Sequence, residues 1–439
     1  MTLFGIAWRN IRQRPLTSAL TALSLALGVA LVVATLVTAN IVKQAFASGS
    51  GLGYNLIVGA KGSPLQLVLN SVYLISKPIE NVPWSCYQEF LPAAARGDGR
   101  DGRYAGSVKT AVPICMGDYF RSHRVVGTSA AYFDRLTLGG GEPFRFAAGE
   151  NFRDADFFGG VLGAEVARGL GLRVGDEFSP THGADDGLVH DPFVVRGILA
   201  RTDTPIDRGV FVNMEGFYLQ DGHAKPLPEG ESPPPQPVAA KHPSGHAPLP
   251  FAQREVTAIL LETASLPGLP AELTAMGLRT AINEGRDGQA ALPVGEIRQL
   301  LDLFVRPLEL LLLLVTALVV LVSAIGILVS MVGSSLERSR DVAIMRALGA
   351  RRSHVLATVL IEAVLLAVGG GLAGWLLGHL VVGAIGPWIT TNAGVSATIF
   401  SAAPLAEALL VPFLVVLAIV AALLPAIAAY RTDVAKWLG

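Results

Sequence analysis

The chain is 439 residues long; 51% of them are hydrophobic, only 16% are charged, and the formal net charge is −1. A mean hydropathy of +0.50 is high for a water-soluble domain and fits an integral membrane protein. The near-neutral balance gives no bulk field that would attract nucleic acid, so charge must act locally here.

Residues 1–15 place Leu3, Phe4, Ala7, Trp8 and Ile11 at helical spacing, with Arg9, Arg12 and Arg14 largely on the other side. The pattern predicts an interfacial amphipathic helix whose arginines face anionic membrane lipids. Residues 16–42 carry no charge, and a span needs roughly 20 such residues. Ala45-Phe46-Ala47 resembles a cleavage site, but the run is too long for a signal-peptide core, so an uncleaved first span is expected.

Residues 43–293 are polar and rich in turns. Strands are expected at 55–58, 108–114, 124–127, 192–195, 210–212 and 256–261, and helices at 64–75, 156–170 and 269–283. Together they predict a mixed α/β domain with its own core. Within it, 221–250 is Pro-rich and free of aromatics; it is expected to be a flexible insertion, because it has too little apolar surface to offset ordering. Gly59 to Ser63 ahead of the 64–75 helix is a weak anion-cradle pattern, and packing of that helix at the base of the domain is the preferred reading. Cys86 and Cys115 lie in the same domain. A disulfide between them in an oxidising compartment and two separate buried thiols are both open readings.

Residues 294–332 read as a stalk helix that runs into the second span, with Ile297, Leu300, Leu301, Phe304 and Val305 on one face and Pro307 as a kink point. The third span is 355–385, with Gly370, Gly374 and Gly378 at four-residue spacing, a face that lets another helix approach closely. The fourth is 405–428, after a short loop at 386–404, and a tail follows at 429–439. Basic residues collect at the N-terminal flank, in the 333–354 connection and in the tail, whereas 386–404 has none. The positive-inside rule then puts both termini and 333–354 in the cytoplasm and the large domain outside.

The 333–354 connection is dense in charge. Glu337, Arg338, Arg340, Asp341 and Arg346 are interleaved with Ile344, Met345 and Leu348. Such a basic, amphipathic segment suits docking, with arginines pairing to acids and apolar side chains filling a cleft. Gly349, before Ala350, can end the helix in a left-handed cap. Glu362 lies inside the third span, where a carboxylate is expensive and points to a contact within the bundle. His379, near the outer end of that span, could pair with a polar group there or simply face a polar interface, which is the preferred reading. His182, His190, His223, His242 and His246 are weak candidate metal ligands, since no tight ligand spacing joins them, and an incidental polar loop is the preferred reading. No catalytic motif is found, and no phosphate-binding G-x-x-x-x-G-K-[ST], so the chain itself is expected to bind no cofactor.

The stretch Glu337-Arg338-Ser339-Arg340-Asp341-Val342-Ala343-Ile344-Met345-Arg346-Ala347-Leu348-Gly349-Ala350 resembles the E-R-x-R-E-I-G-x-x-R-A-x-G-A signature of MacB/FtsX-type ABC transporter permeases, which include the LolC/LolE lipoprotein-release subunits. It departs from that signature at Asp341 and Ala343. Ala7 to Arg12, Pro425-Ala426 with Asp433-Val434, and Gly163 to Ala167 with Leu170 to Asp176 are also similar to family elements, whereas 221–250 has no counterpart there. The resemblance implies four transmembrane helices with a large extracytoplasmic α/β domain between the first two, in a bacterial inner membrane. It implies a coupling helix at 333–354 docked on a separate ABC ATPase that carries ATP and Mg²⁺, two copies of that ATPase, and a homodimer or a heterodimer with a related permease. A periplasmic adaptor or substrate protein is a further implied partner. The implied role is mechanotransmission that drives efflux or extraction of a peptide, siderophore, drug or lipoprotein. The alternative is an FtsX-like regulator or sensor.

Overall fold

The computed structural model describes residues 2–49, 52–78, 80–96, 98–183, 187–226, 247–337, 342, 344–346, 349–393 and 404–430. Two compact units emerge: Met1–Lys43 with Asp302–Gly439, and Gln44–Leu301.

The first unit is helical. The helix Leu3–Gln13 is N-capped by Thr2, whose hydroxyl accepts from the Gly5 N–H at 3.2 Å. Pro15, just inside the next helix (Pro15–Gly49), has no N–H to leave unpaired at a helix start. Among the described residues, four helical runs are long and apolar enough to cross a membrane: Pro15–Gln44, Pro293–Gly333, Arg352–Pro387 and Glu407–Ile427. The third helix extends to Ala393, through Pro387 and into the stretch expected as a loop, and the fourth covers Pro404–Tyr430.

The expected stalk is helical but not uniform. Pro293–Leu300 is α-helical, Leu301–Val305 is a π-turn, and Arg306–Glu337 is α-helical again. Pro307 supplies no N–H and its ring crowds the preceding turn, and a wider turn just upstream relieves both effects.

The second unit is built on a sheet. Its strands are β1 (Leu56–Gly59), β2 (Val108–Phe120), β3 (His123–Thr128), β4 (Phe146–Gly149), β5 (Gly159–Leu162), β6 (Glu177–Phe178), β7 (Thr181–His182), β8 (Leu188–Val189), β9 (Phe193–Leu199), β10 (Val210–Asn213), β11 (Ala258–Thr263) and β12 (Gln289–Ala291). The main path runs β12-β1-β11-β2-β3-β10-β5-β9-β4, with β6 on β9 and the β7–β8 pair on β2. Most pairs are antiparallel, but β3/β10 and β5/β9 are parallel.

Strand periodicity divides the apolar side chains between two cores. On β10, Val210 and Val212 face one core and Phe211 the other; on β2, Cys115 faces the first and Ile114 and Met116 the second. Helix Pro64–Ser71 lies against Pro293–Leu300 within this unit.

One expectation is corrected here, and one open reading is resolved. The stretch 156–170 is not one helix but strand β5 followed by helix Ala164–Leu170. A side chain at Gly160 would meet the Phe178 ring at 2.8 Å, so these glycines serve close sheet packing rather than a helix. Cys86 and Cys115 are free thiols, not a disulfide. The Cys115 sulfur lies 3.2 Å from both the Tyr218 hydroxyl and the Glu255 carbonyl oxygen, while Cys86 sits in its own environment beside Gly288.

Candidate functional site

The segment between the second and third spans ends its helix as its sequence directs. Gly349 takes φ +99°, which only glycine adopts freely. Its N–H donates to the Arg346 carbonyl at 3.1 Å, and the Ala350 N–H donates to the Met345 carbonyl at 3.0 Å. Those are the two bonds of a Schellman cap. The apolar ridge divides by face: Val342 is buried with Val355, and Met345 packs beside them, whereas Ile344 is 42% exposed. Met345 therefore belongs to the base of the third span, three positions and nearly one turn from Val342. Arg338, Arg340, Asp341 and Leu348 lie outside the described residues, as does the side chain of Glu337.

Within the bundle, Glu362 is buried and accepts from the Asn10 amide at 3.3 Å, which ties the third span to the N-terminal helix. His379 does not merely face a polar surface. Its Nε2 lies 3.2 Å from Glu407 Oε2 on the fourth helix, and Trp375 donates to the same oxygen at 2.9 Å. At the far end of the first span, Lys43 pairs with Glu309 at 2.7 Å. The glycine face is occupied within the chain: a Cβ at Gly370, Gly374 or Gly378 would lie 2.8 Å from Ala22 O, 2.4 Å from Ala26 O or 2.7 Å from Val33 Cβ.

In the sheet unit, three of the candidate histidines converge on a residue that sequence reasoning missed. Asp118 sits on β2, where a bulge between Met116 and Tyr119 interrupts pairing with β3, and it is 1% exposed. His182 is its direct partner on β7. His190 follows β8, with its backbone N–H on the Pro180 carbonyl at 2.9 Å. His223 follows the short helix Met214–Leu219 and is fixed by its Nδ1 on the Phe217 carbonyl at 2.8 Å. His182 Nδ1, His190 Nε2 and His223 Nε2 lie 3.3, 3.5 and 3.2 Å from the Asp118 carboxylate oxygens. Burial holds His190 below the usual histidine range. His242 and His246 lie outside the described residues. The one sequence signal for Asp118 is that it is the lone acid of strand β2.

A separate cavity of about 570 Å³ in this unit is lined by Trp84, Tyr87, Phe90, Phe251, Arg135 and Arg254, among others. Arg254 lies over the Trp84 ring and pairs with Glu215 at 2.7 Å.

Four apolar helices, with a large sheet domain between the first and second, define a membrane-embedded protein of the permease type. Residues 18–232 match the MacB-like periplasmic core domain, and residues 313–434 match the FtsX-like permease C-terminal region. The chain belongs to the MacB/FtsX-type ABC transporter permeases. No curated protein matches it.

Proposed function

We propose that the chain is the permease subunit of an ABC system in which a separate ATPase, carrying ATP and Mg²⁺, drives conformational change in the MacB-like domain. The observation that carries this reading is the capped segment at Arg346–Ala350, which joins the second and third spans. Force applied there would pass into the second helix and, by chain continuity through the π-turn, to the sheet domain. The proposed setting is a bacterial inner membrane, with the termini and this segment cytoplasmic and the sheet domain periplasmic. Two such chains, identical or related, would work with two ATPases.

The work proposed is export or extraction of a periplasmic cargo such as a peptide, siderophore, drug or lipoprotein. The FtsX-like match also supports a second reading, a regulator that relays the ATPase state to a periplasmic partner. Loss of the chain should cause cargo to accumulate in the first case, and should alter the partner's activity without any cargo in the second.

Arg346→Glu reverses charge at the capped segment. Purification in mild detergent should then recover the membrane protein at normal yield with at least a ~10-fold loss of co-purifying ATPase. A tenfold loss corresponds to about 1.4 kcal/mol of interface energy. Undiminished co-purification would remove this segment from the interface.

A further inference from the structure

We propose that Asp118, His182, His190 and His223 together hold one zinc ion in the sheet domain. This inference stands apart from the permease reading.

Three observations carry it. The four donor atoms lie within 4.8 Å of one another. Asp118 Oδ1 lies 3.2 Å from His223 Nε2 and 3.3 Å from His182 Nδ1, which are 3.2 Å from each other; these three separations match the ~3.3 Å edges of one face of a tetrahedron whose bonds are about 2.0–2.1 Å, and His190 Nε2 lies 3.5 Å from the other carboxylate oxygen. Second, both Asp118 carboxylate oxygens and His190 Nε2 are buried without a hydrogen-bond partner. A buried carboxylate left unpaired carries a large desolvation cost, which a cation removes. Third, His223 is set in the tautomer a metal needs. The Phe217 carbonyl can only accept, so His223 Nδ1 carries the proton, and in the neutral ring the Nε2 lone pair points at Asp118. Two acceptors face each other there, an arrangement that a cation between them resolves. An outer partner of this kind is what orients a metal-bound histidine.

Three imidazoles and one carboxylate in a compact set favour zinc over a hard cation, which takes more oxygens, and over square-planar copper. His182 is 41% exposed at its side chain, so the site opens to solvent on that side. Its ligands come from β2, the β7–β8 region and the segment after helix Met214–Leu219, so the ion would cross-link three separate parts of the domain.

The full-length protein in detergent, stripped by chelator, is titrated with Zn²⁺ against a chromophoric competitor. One submicromolar equivalent per chain is expected. His190→Ala and His223→Ala should each weaken it by at least ~100-fold, the upper end of what loss of a mere supporting partner costs. His123→Ala, in the same domain but outside the cluster, should leave it unchanged, and so should removal of 227–246, which takes out His242 and His246. Zn²⁺ at a hundredfold excess over Kd should raise the wild-type domain Tm by roughly 5–10 °C. Lack of a tight equivalent in the wild type, its persistence in the His190→Ala/His223→Ala double variant, or its loss with 227–246 would each overturn the proposal. Should the histidine variants misfold, Co²⁺ on the wild type decides: a four-coordinate visible spectrum supports the site, and a six-coordinate one overturns it.

Discussion

At the scale of single residues, burial sets the chemistry of the two thiols. Desolvation pushes Cys115 up to about 12 and Cys86 up to about 11 from an ordinary 9.0. The thiolate is the reactive form, so labelling by a maleimide at pH 8 should be slower than in the unfolded chain by about 100-fold at Cys86 and about 1,000-fold at Cys115. Denaturation should restore both. Because the folded values lie above the unfolded ones, the thiols contribute stability that is full below pH ~9 and is lost as pH rises through about 11 to 12. Gly374 tests packing in the same way. Even an alanine there would press against the Ala26 carbonyl at 2.4 Å, so Gly374→Ala should lower bundle stability by about 1–3 kcal/mol. Gly369 meets nothing within 4 Å, and Gly369→Ala should be neutral or stabilising by ~0.5–1 kcal/mol. Thermal unfolding in detergent compares the two directly.

At the scale of elements, the cap at Gly349 and the π-turn at Leu301–Val305 are two places where the sequence interrupts helical geometry. Forcing a Cβ into φ +99° costs roughly 1–2 kcal/mol. Gly349→Ala should therefore loosen the end of the segment and reduce ATPase co-purification about tenfold, with membrane insertion unchanged. An unaltered yield of ATPase would show that the cap is not needed for docking. Asn10 with Glu362, and His379 with Glu407, are among the polar ties between helices. In hydrocarbon such groups need a partner, which is why each acid is met by a donor on another helix.

For the whole molecule, the helix that approaches the glycine face closely is the chain's own first span, whose atoms already fill it. The second helix is the least enclosed, with 6% of its most apolar window buried against 44% for the first and third. Two permease chains should then meet along it. Leu318→Cys, at a position 55% exposed, should give an oxidative crosslink between copies in native membranes, and Gly374→Cys should not. The opposite pattern would place the glycine face at the dimer seam.

Local sequence determined the features whose physics is local. Runs without charge marked the four long apolar helices; β-branched segments marked β1, β3, β10 and β11 to within two residues, and the starts but not the ends of β2 and β9; and a glycine after Met345 and Arg346 announced the helix cap. Tertiary structure decided what depends on distant partners. Gly160 became strand because the Phe178 ring covers it, Cys115 met Tyr218 rather than Cys86, and Glu362 met Asn10 from the other end of the chain. His182, His190 and His223 have no diagnostic spacing because strand pairing brings His182 to Asp118, while His190 and His223 arrive on the segments after β8 and after helix Met214–Leu219. Strand register brings together residues that linear order keeps far apart, and no sequence period encodes that convergence.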